Sequence, residues 1–427
     1  MKKKLALATA AVMAMSLAAC GGSSTATSTA TSNSTASSTS TASSTEAQQS
    51  ESWGDVTLTM WGAEEDQDLL RKIADGFIEE NKDKGNITIN IGVQSEASAK
   101  DTILVDPTAA ADVFAFADDQ LNELVAAGAL QEVLMNADDV KARNTEASVD
   151  AATLNGKLYA YPLTADNGYF MFYDKSFFSE EDVKSLDTMM EKAAAAGKKV
   201  SMEVANGWYL YSFFGGAGLT LGLADDGVNT VCNWNEAPGA DVVQSIIDIC
   251  KNPGFVALTD ADFTGKMKDG TIVAGVNGTW RSNDAAEVWG DNYAATKLPT
   301  YTLNGEQVQM SSFSGFKLVG VNPHSANVGV AMMLADYVTN EANQALRFEM
   351  RGQGPSNTAT LAACDSPALS AVVEQSEFAV LQRVGGNYWA NAETLGSICV
   401  AGNPENIDTQ KLVDEAVAGI TAPVAAG

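Results

Sequence analysis

The sequence predicts an α/β protein built as more than one domain, on three observations. Past residue 53, short runs of strand character alternate with stretches whose apolar residues recur at helical spacing. The body from Trp53 to Gly427 is too long for one ordinary core and comfortable for two. With 45% hydrophobic and 19% charged residues, the chain has a globular composition.

The elements follow in order. VTLTMW at 56–61 alternates as a strand, and a helix is expected over 65–81 with Leu69, Leu70, Ile73, Phe77 and Ile78 on one face. ITINIGV at 87–93 and ADVFAF at 111–116 are the next strands, the latter leading into a helix through Leu121, Leu124 and Val125. Such alternation implies parallel sheets of βαβ units. KLYAYP at 157–162 and YFMFYD at 169–174 are two strands parted by TADNG, an interruption that fits a chain passing between lobes. Further helices are expected at 186–196, 240–250, 326–339 and 409–420. No repeat of solenoid type is present.

Ahead of this body, Lys2, Lys3 and Lys4 precede an uncharged apolar run at 5–19, the layout of a secretory signal peptide and too short to span a membrane. The run ends in LAACG, which resembles the lipobox of bacterial lipoproteins and implies lipid on Cys20 as the first mature residue. Plain secretion with an incidental cysteine is the alternative. Residues 20–52 are otherwise almost wholly Ser, Thr and Ala, a composition that buries nothing and acts as a tether.

Charge excludes whole classes of function. Asp and Glu number 54 against 26 Lys and Arg, for a net charge of −28, so nucleic acid and anionic headgroups are not partners. Solubility of an exposed extracellular surface is the plain reading of that excess. Cys232, Cys250, Cys364 and Cys399 show no CxxC spacing; a Cys232–Cys250 bridge and free thiols are both open. The single histidine, His324, sits in NPHS before a helix and reads as a surface residue rather than part of a triad. DADFTGKMKDGT at 260–271 begins like a calcium loop but has Thr271 where the bidentate glutamate belongs. No P-loop or GxGxxG motif is present, and no cofactor or metal is called for.

Five blocks, VTLTMWGAEEDQDLLRKIADGFIEE, AADVFAFADDQLNELVAAGALQEV, LNGKLYAYPLTADNGYFMFYDKSFF, MKDGTIVAGVNGTW and GGNYWAN, stand in an order that resembles the extracellular solute-binding proteins of bacterial ABC transporters, maltose/maltodextrin type. The resemblance implies a two-lobed periplasmic-binding-protein-like fold (type II), with a ligand cleft between lobes that close by hinge motion. It implies crossings near 164–168, 311–316 and 364–369, an N-terminal lobe of 53–165 plus 317–364, and a C-terminal lobe of 166–316 plus 365–427.

A sugar presents apolar C–H faces and a fringe of hydroxyls, so its site needs flat rings and charged or planar acceptors. Positions matching the family's ligand blocks have those types: Glu65, Asp66, Phe116, Asp119, Asp166, Trp208, Tyr209, Trp280, Arg281, Tyr388 and Trp389. Trp61 reads as packing, and Phe116 fits core and pocket equally. The family's pattern has a ligand-binding glutamate where this chain has Gly207, which leaves the sugar open. The implied function is a lipid-anchored, monomeric binder on the outer face of the cell membrane, handing an oligosaccharide of the maltose/maltodextrin class to an ABC permease with a separate ATPase. Xylo-, fructo- or galacto-oligosaccharides are alternatives, and a secreted carbohydrate-active enzyme is the rival class.

Overall fold

The computed structural model describes residues 52–423, which form one compact unit. The signal peptide, Cys20 and the Ser/Thr-rich tether lie outside the described residues.

Ten strands make two five-stranded sheets. They are β1 Gly54–Gly62, β2 Gly85–Val93, β3 Val113–Ala117, β4 Tyr161–Thr164, β5 Phe170–Asp174, β6 Lys199–Met202, β7 Phe255–Ala257, β8 Ile272–Asn277, β9 Tyr293–Thr296 and β10 Lys317–Val321. The first sheet has the order β2-β1-β3-β10-β4 and the second β7-β6-β8-β5-β9. In β1 the alternation is literal: Val56, Leu58 and Met60 are buried while their neighbours face outward. The helix Gln67–Glu80 lays Leu69, Leu70, Ile73, Ala74 and Phe77 onto the same core. Helices Leu186–Ala195, Gly239–Lys251, Val328–Val338 and Thr409–Ile420 occupy the regions where periodicity places them.

Each sheet has its own core. Leu58, Phe77, Phe114, Tyr161, Leu318 and Leu334 pack in the first. Met171, Met189, Leu210, Trp234, Ile246, Leu395 and Val413 pack in the second, where Phe214 and Trp234 stack with ring centroids 4.0 Å apart. Along β5, Met171 and Tyr173 enter that core while Phe170 and Phe172 enter a smaller cluster with Phe263, Ile272 and Ala368. Both faces of the second sheet are therefore covered.

Two expectations are corrected. The sheets are mixed rather than parallel: β10 runs antiparallel to β3 and β4, and β5 antiparallel to β8 and β9. These strands are reached by chain passing from one sheet to the other instead of by a helical crossover, so the βαβ rule does not set their direction. The segment 157–162 is not one strand. Lys157–Leu158 closes a hairpin on Thr153–Leu154 through Asn155 and Gly156, both at positive φ (53° and 78°), an Asn-Gly turn that suits a two-residue hairpin.

The chain leaves the first sheet after Thr164 and enters the second at Phe170. Between them, Asp166 is fully enclosed; its carboxylate accepts from the Thr279 hydroxyl and the Gly354 N–H. Burial pushes its pKa upward. A second passage links Ser312–Ser314, paired in parallel with Ala379–Leu381, to β10.

All four described cysteines are free thiols. Burial pushes Cys232 up to about 11 and Cys250 and Cys399 up to about 12, which keeps them protonated at neutral pH. Residues 260–268 form a helix, and His324 is exposed.

Leu58 is fully buried, so Leu58→Ala should lower the unfolding free energy by about 2–5 kcal/mol in urea titrations. Val105→Ala, at a side chain 86% exposed, should stay within about 0.5 kcal/mol of the parent.

Candidate ligand-binding cleft

A cleft of about 670 Å³ lies where the two sheets face each other. Its walls come from the segments just past strand C-termini: Glu64–Asp66 after β1, Ser95 to Asp101 after β2, Asp119 and Gln120 after β3, Glu203 to Tyr209 after β6, Asp260 after β7 and Trp280 after β8. Loops at that end carry a helix start next to open space, the usual ligand position in α/β sheets. Lys317, Arg351, Gln353, Gln382, Val384 and Trp389 complete the lining.

Seven of the expected residues meet there: Glu65, Asp66, Asp119, Trp208, Tyr209, Trp280 and Trp389. Asp66 is enclosed, bonded to Arg347 and, at 2.9 Å, to Arg351 Nε. Burial alone would raise its carboxyl, but Arg347, Lys317 and Arg351 outweigh that and hold it at about 2. Both its oxygens are occupied, so it organises the wall instead of offering a free acceptor. Glu65 reaches to 4.0 Å from the Arg281 guanidinium, which projects from the segment after β8.

Arg281 is itself gripped by Asp260, through Nε at 3.0 Å and Nη2, and by Asp284 at 3.2 Å. Asp260 also accepts from the Trp280 indole at 3.2 Å, and Arg281 with these partners holds its carboxyl low despite burial. The Trp280 ring is thereby fixed in place, with Lys317 Nζ 5.5 Å from its centroid. Trp208 stacks on Phe313 at 5.4 Å, and the N–H that starts its helix is capped by Asn206 at 2.9 Å.

Asp118 and Asp119 share one turn and have opposite surroundings. Asp118 is bonded to Arg383 at 2.6 Å and to the Phe316 N–H at 2.9 Å. Asp119 Oδ1 is enclosed and has no hydrogen-bond partner among the described residues. Burial, then the neighbouring Asp118 charge, pushes Asp119 up to about 7.

Four expected residues do not line the cleft. Phe116 is fully buried beside Phe114 in the first core, because alternation along β3 turns both rings to the same face. Tyr388 is enclosed in the second core, its hydroxyl donating to the Gly207 carbonyl at 2.6 Å, while Trp389 alone faces the cleft. Asp166 is held at the crossing, and Arg281 stands behind Trp280. Gly207 sits in a tight place: a Cβ there would meet Ala392 at 3.0 Å and the Tyr388 ring at 3.2 Å, so its neighbours would have to shift by a few tenths of an ångström.

Sequence reasoning missed Glu96, Glu203, Asp260, Lys317, Gln353 and Gln382. Glu96 and Glu203 follow strands as Glu65 does, so the same rule of position finds them. Lys317, Gln353 and Gln382 come from segments returning late in the chain and carry no local signal. A second, shallower groove of about 620 Å³ runs along the helix Asn387–Val400, without an aromatic ring in its lining.

Two α/β lobes around a cleft walled by indole faces and carboxylates define a two-lobed binding protein. The chain belongs to the family described as bacterial extracellular solute-binding protein, which matches residues 72–374. It is similar to the galactooligosaccharide-binding protein of Bacillus subtilis (strain 168), at 29% identity over 62% of this chain and 66% of that relative, just short of two thirds of its length. A structure solved with acarbose is 34% identical, with a TM-score of 0.76, over 86% of this chain and 98% of that one. The maltotriose-binding protein of Thermus thermophilus, solved with maltotriose, shares the fold at 18% identity and a TM-score of 0.74, over 85% of this chain and 99% of that one.

Because Asp119 in the folded state sits at about 7, above the ordinary 3.8, the folded protein holds that proton more tightly than the unfolded chain does. Its contribution to stability is therefore largest at low pH and declines as pH rises from the ordinary value toward 7. Asp119→Asn should remove this decline, so that urea titrations show the variant gaining on the parent across that window by an amount on the order of a few kcal/mol.

Proposed function

We propose that this chain is the substrate-binding lipoprotein of a carbohydrate ABC importer. It captures an oligosaccharide in the cleft, closes two lobes over it and delivers it to a membrane permease, performing no reaction. Lipid on Cys20 would hold the mature protein on the outer face of the cell membrane. The lobes would comprise 53–165 with 317–364, and 166–316 with 365–427.

The observation that carries this reading is the meeting of Trp208, Trp280 and Trp389, from three separate chain segments, in one cleft with the unpartnered Asp119. Indole faces stack on the C–H faces of sugar rings, and a buried carboxylate oxygen without a donor suits a hydroxyl. An α-glucosidic ligand of the maltose/maltodextrin class is favoured, because acarbose, bound in the 34%-identical structure, is a pseudo-oligosaccharide of that type. A galacto-oligosaccharide is the second reading, favoured by the Bacillus subtilis relative.

Calorimetry against a panel of malto-, galacto-, xylo- and fructo-oligosaccharides tests the class, with the ligand recovered uncut after prolonged incubation. Trp280→Ala and Trp389→Ala should each cost ~1.5–3 kcal/mol, or roughly ten- to hundredfold in Kd for the best sugar. Folded variants that bind within twofold of the parent would reject this pocket. In solution scattering the saturating sugar should lower the radius of gyration; superimposable curves with and without it would reject closure.

A further inference from the structure

We infer that Glu96 is a second ligand carboxylate, which works with Asp119 as a pair of acceptors reading two hydroxyls on one ring of the bound saccharide and so sets which sugar is accepted. This rests on the reading of the cleft as an oligosaccharide site, and it adds a residue and a selectivity that the ring-stacking surfaces do not supply.

The two carboxylates are brought to one wall by a single side chain. Gln120, in the turn after β3, donates from Nε2 to the Glu96 carbonyl at 2.6 Å and to the Ala97 carbonyl at 3.1 Å. Its Oε1 accepts the Lys100 N–H at 2.8 Å. The loop after β2 is thus lashed to the turn that carries Asp119. Ser95 holds the loop's own shape by accepting the Ala97 N–H.

Glu96 and Asp119 both line the cleft, and the enclosed oxygens Glu96 Oε1 and Asp119 Oδ1, set just beneath its surface, have no hydrogen-bond partner among the described residues. Glu96 Oε1 forms a long ion pair with Lys317 Nζ at 3.8 Å, which is beyond hydrogen-bond reach. Lys100 is engaged by Glu123 at 2.9 Å. Buried acceptors are costly to leave unmet, and the one unbonded ammonium on this wall, Lys317, reaches neither at hydrogen-bond distance. Donors brought by a ligand meet both oxygens and favour the ionised form of Asp119. Adjacent hydroxyls on a neutral sugar ring bring donors in pairs, whereas a uronate or phosphate group brings only acceptors and negative charge. A site built around hydroxyl bonds also rejects an analogue lacking the hydroxyl, because its acceptor is then left unpaired.

The test uses the parent, Glu96→Gln and Glu96→Ala with the best neutral oligosaccharide and its singly deoxygenated analogues, by calorimetry, with melting midpoints as the folding control. For the parent, removal of one particular hydroxyl should weaken binding by about tenfold or more. Glu96→Ala should weaken the complete sugar by a similar factor and bind that deoxy analogue no worse than the complete sugar. Glu96→Gln, which keeps the shape without the charge, should fall between. If the complete sugar binds Glu96→Ala or Glu96→Gln within twofold of the parent, or if the deoxy penalties are the same in parent and variants, Glu96 serves only to neutralise Lys317 and the inference is overturned. A parent that binds no neutral saccharide overturns the oligosaccharide reading together with this one, which separates the two failures.

Discussion

The enclosed carboxylate of Asp166, at the point where the chain first passes between the sheets, holds together three segments that are remote in sequence. It lies on the crossing itself, and its partners are Thr279, just past a strand of the second sheet, and Gly354, on chain that returns late to the first. A buried carboxyl is tolerable only when donors converge on it, so the local backbone at all three places is constrained at once. Asp66 with Arg347 and Arg351, and Asp118 with Arg383, repeat the device using cations. Strand ends from the first third of the chain are thereby tied to its last third.

These ties hold the floor and walls of the cleft in place. Arg351 and Gln353 reach the cleft because the segment bearing them is anchored on Asp66 and Asp166; Gln382 and Val384 reach it beside the Arg383–Asp118 pair. The same logic separates residues that hold the site from residues that remain open within it. Asp66 and Asp118 have their oxygens filled by protein donors, whereas Asp119 and Glu96 each keep one oxygen unmet. Trp280 belongs to both groups, its indole N–H fixed on Asp260 while its ring lines the cleft.

Acidity also acquires a local meaning. Six of the nine acids in the lining stand within 4.0 Å of a cation: Asp260 and Glu65 of Arg281, Glu123 and Asp101 of Lys100, Glu96 of Lys317 and Asp66 of two arginines. Acids nonetheless outnumber cations in the lining by nine to three, so the excess of carboxylates that the composition displays extends into the cleft. An acidic lining of this kind favours neutral ligands rich in donors over anionic ones.

By itself the sequence determined the α/β class, the strands β1, β2, β3 and β5, and the long amphipathic helices, because burial of one face imposes a period that is written locally. Through its resemblance to the family's ligand blocks it also marked Glu65, Asp119, Trp208, Trp280 and Trp389. Only the tertiary structure decided the antiparallel entry of β10 and β5, since direction there depends on the path between sheets. It likewise decided that Phe116 and Tyr388 belong to cores while their neighbours in sequence face the cleft. Which of two adjacent carboxylates is neutralised, as Asp118 is and Asp119 is not, depends on Arg383 arriving from more than two hundred residues away, and no local pattern encodes that arrival.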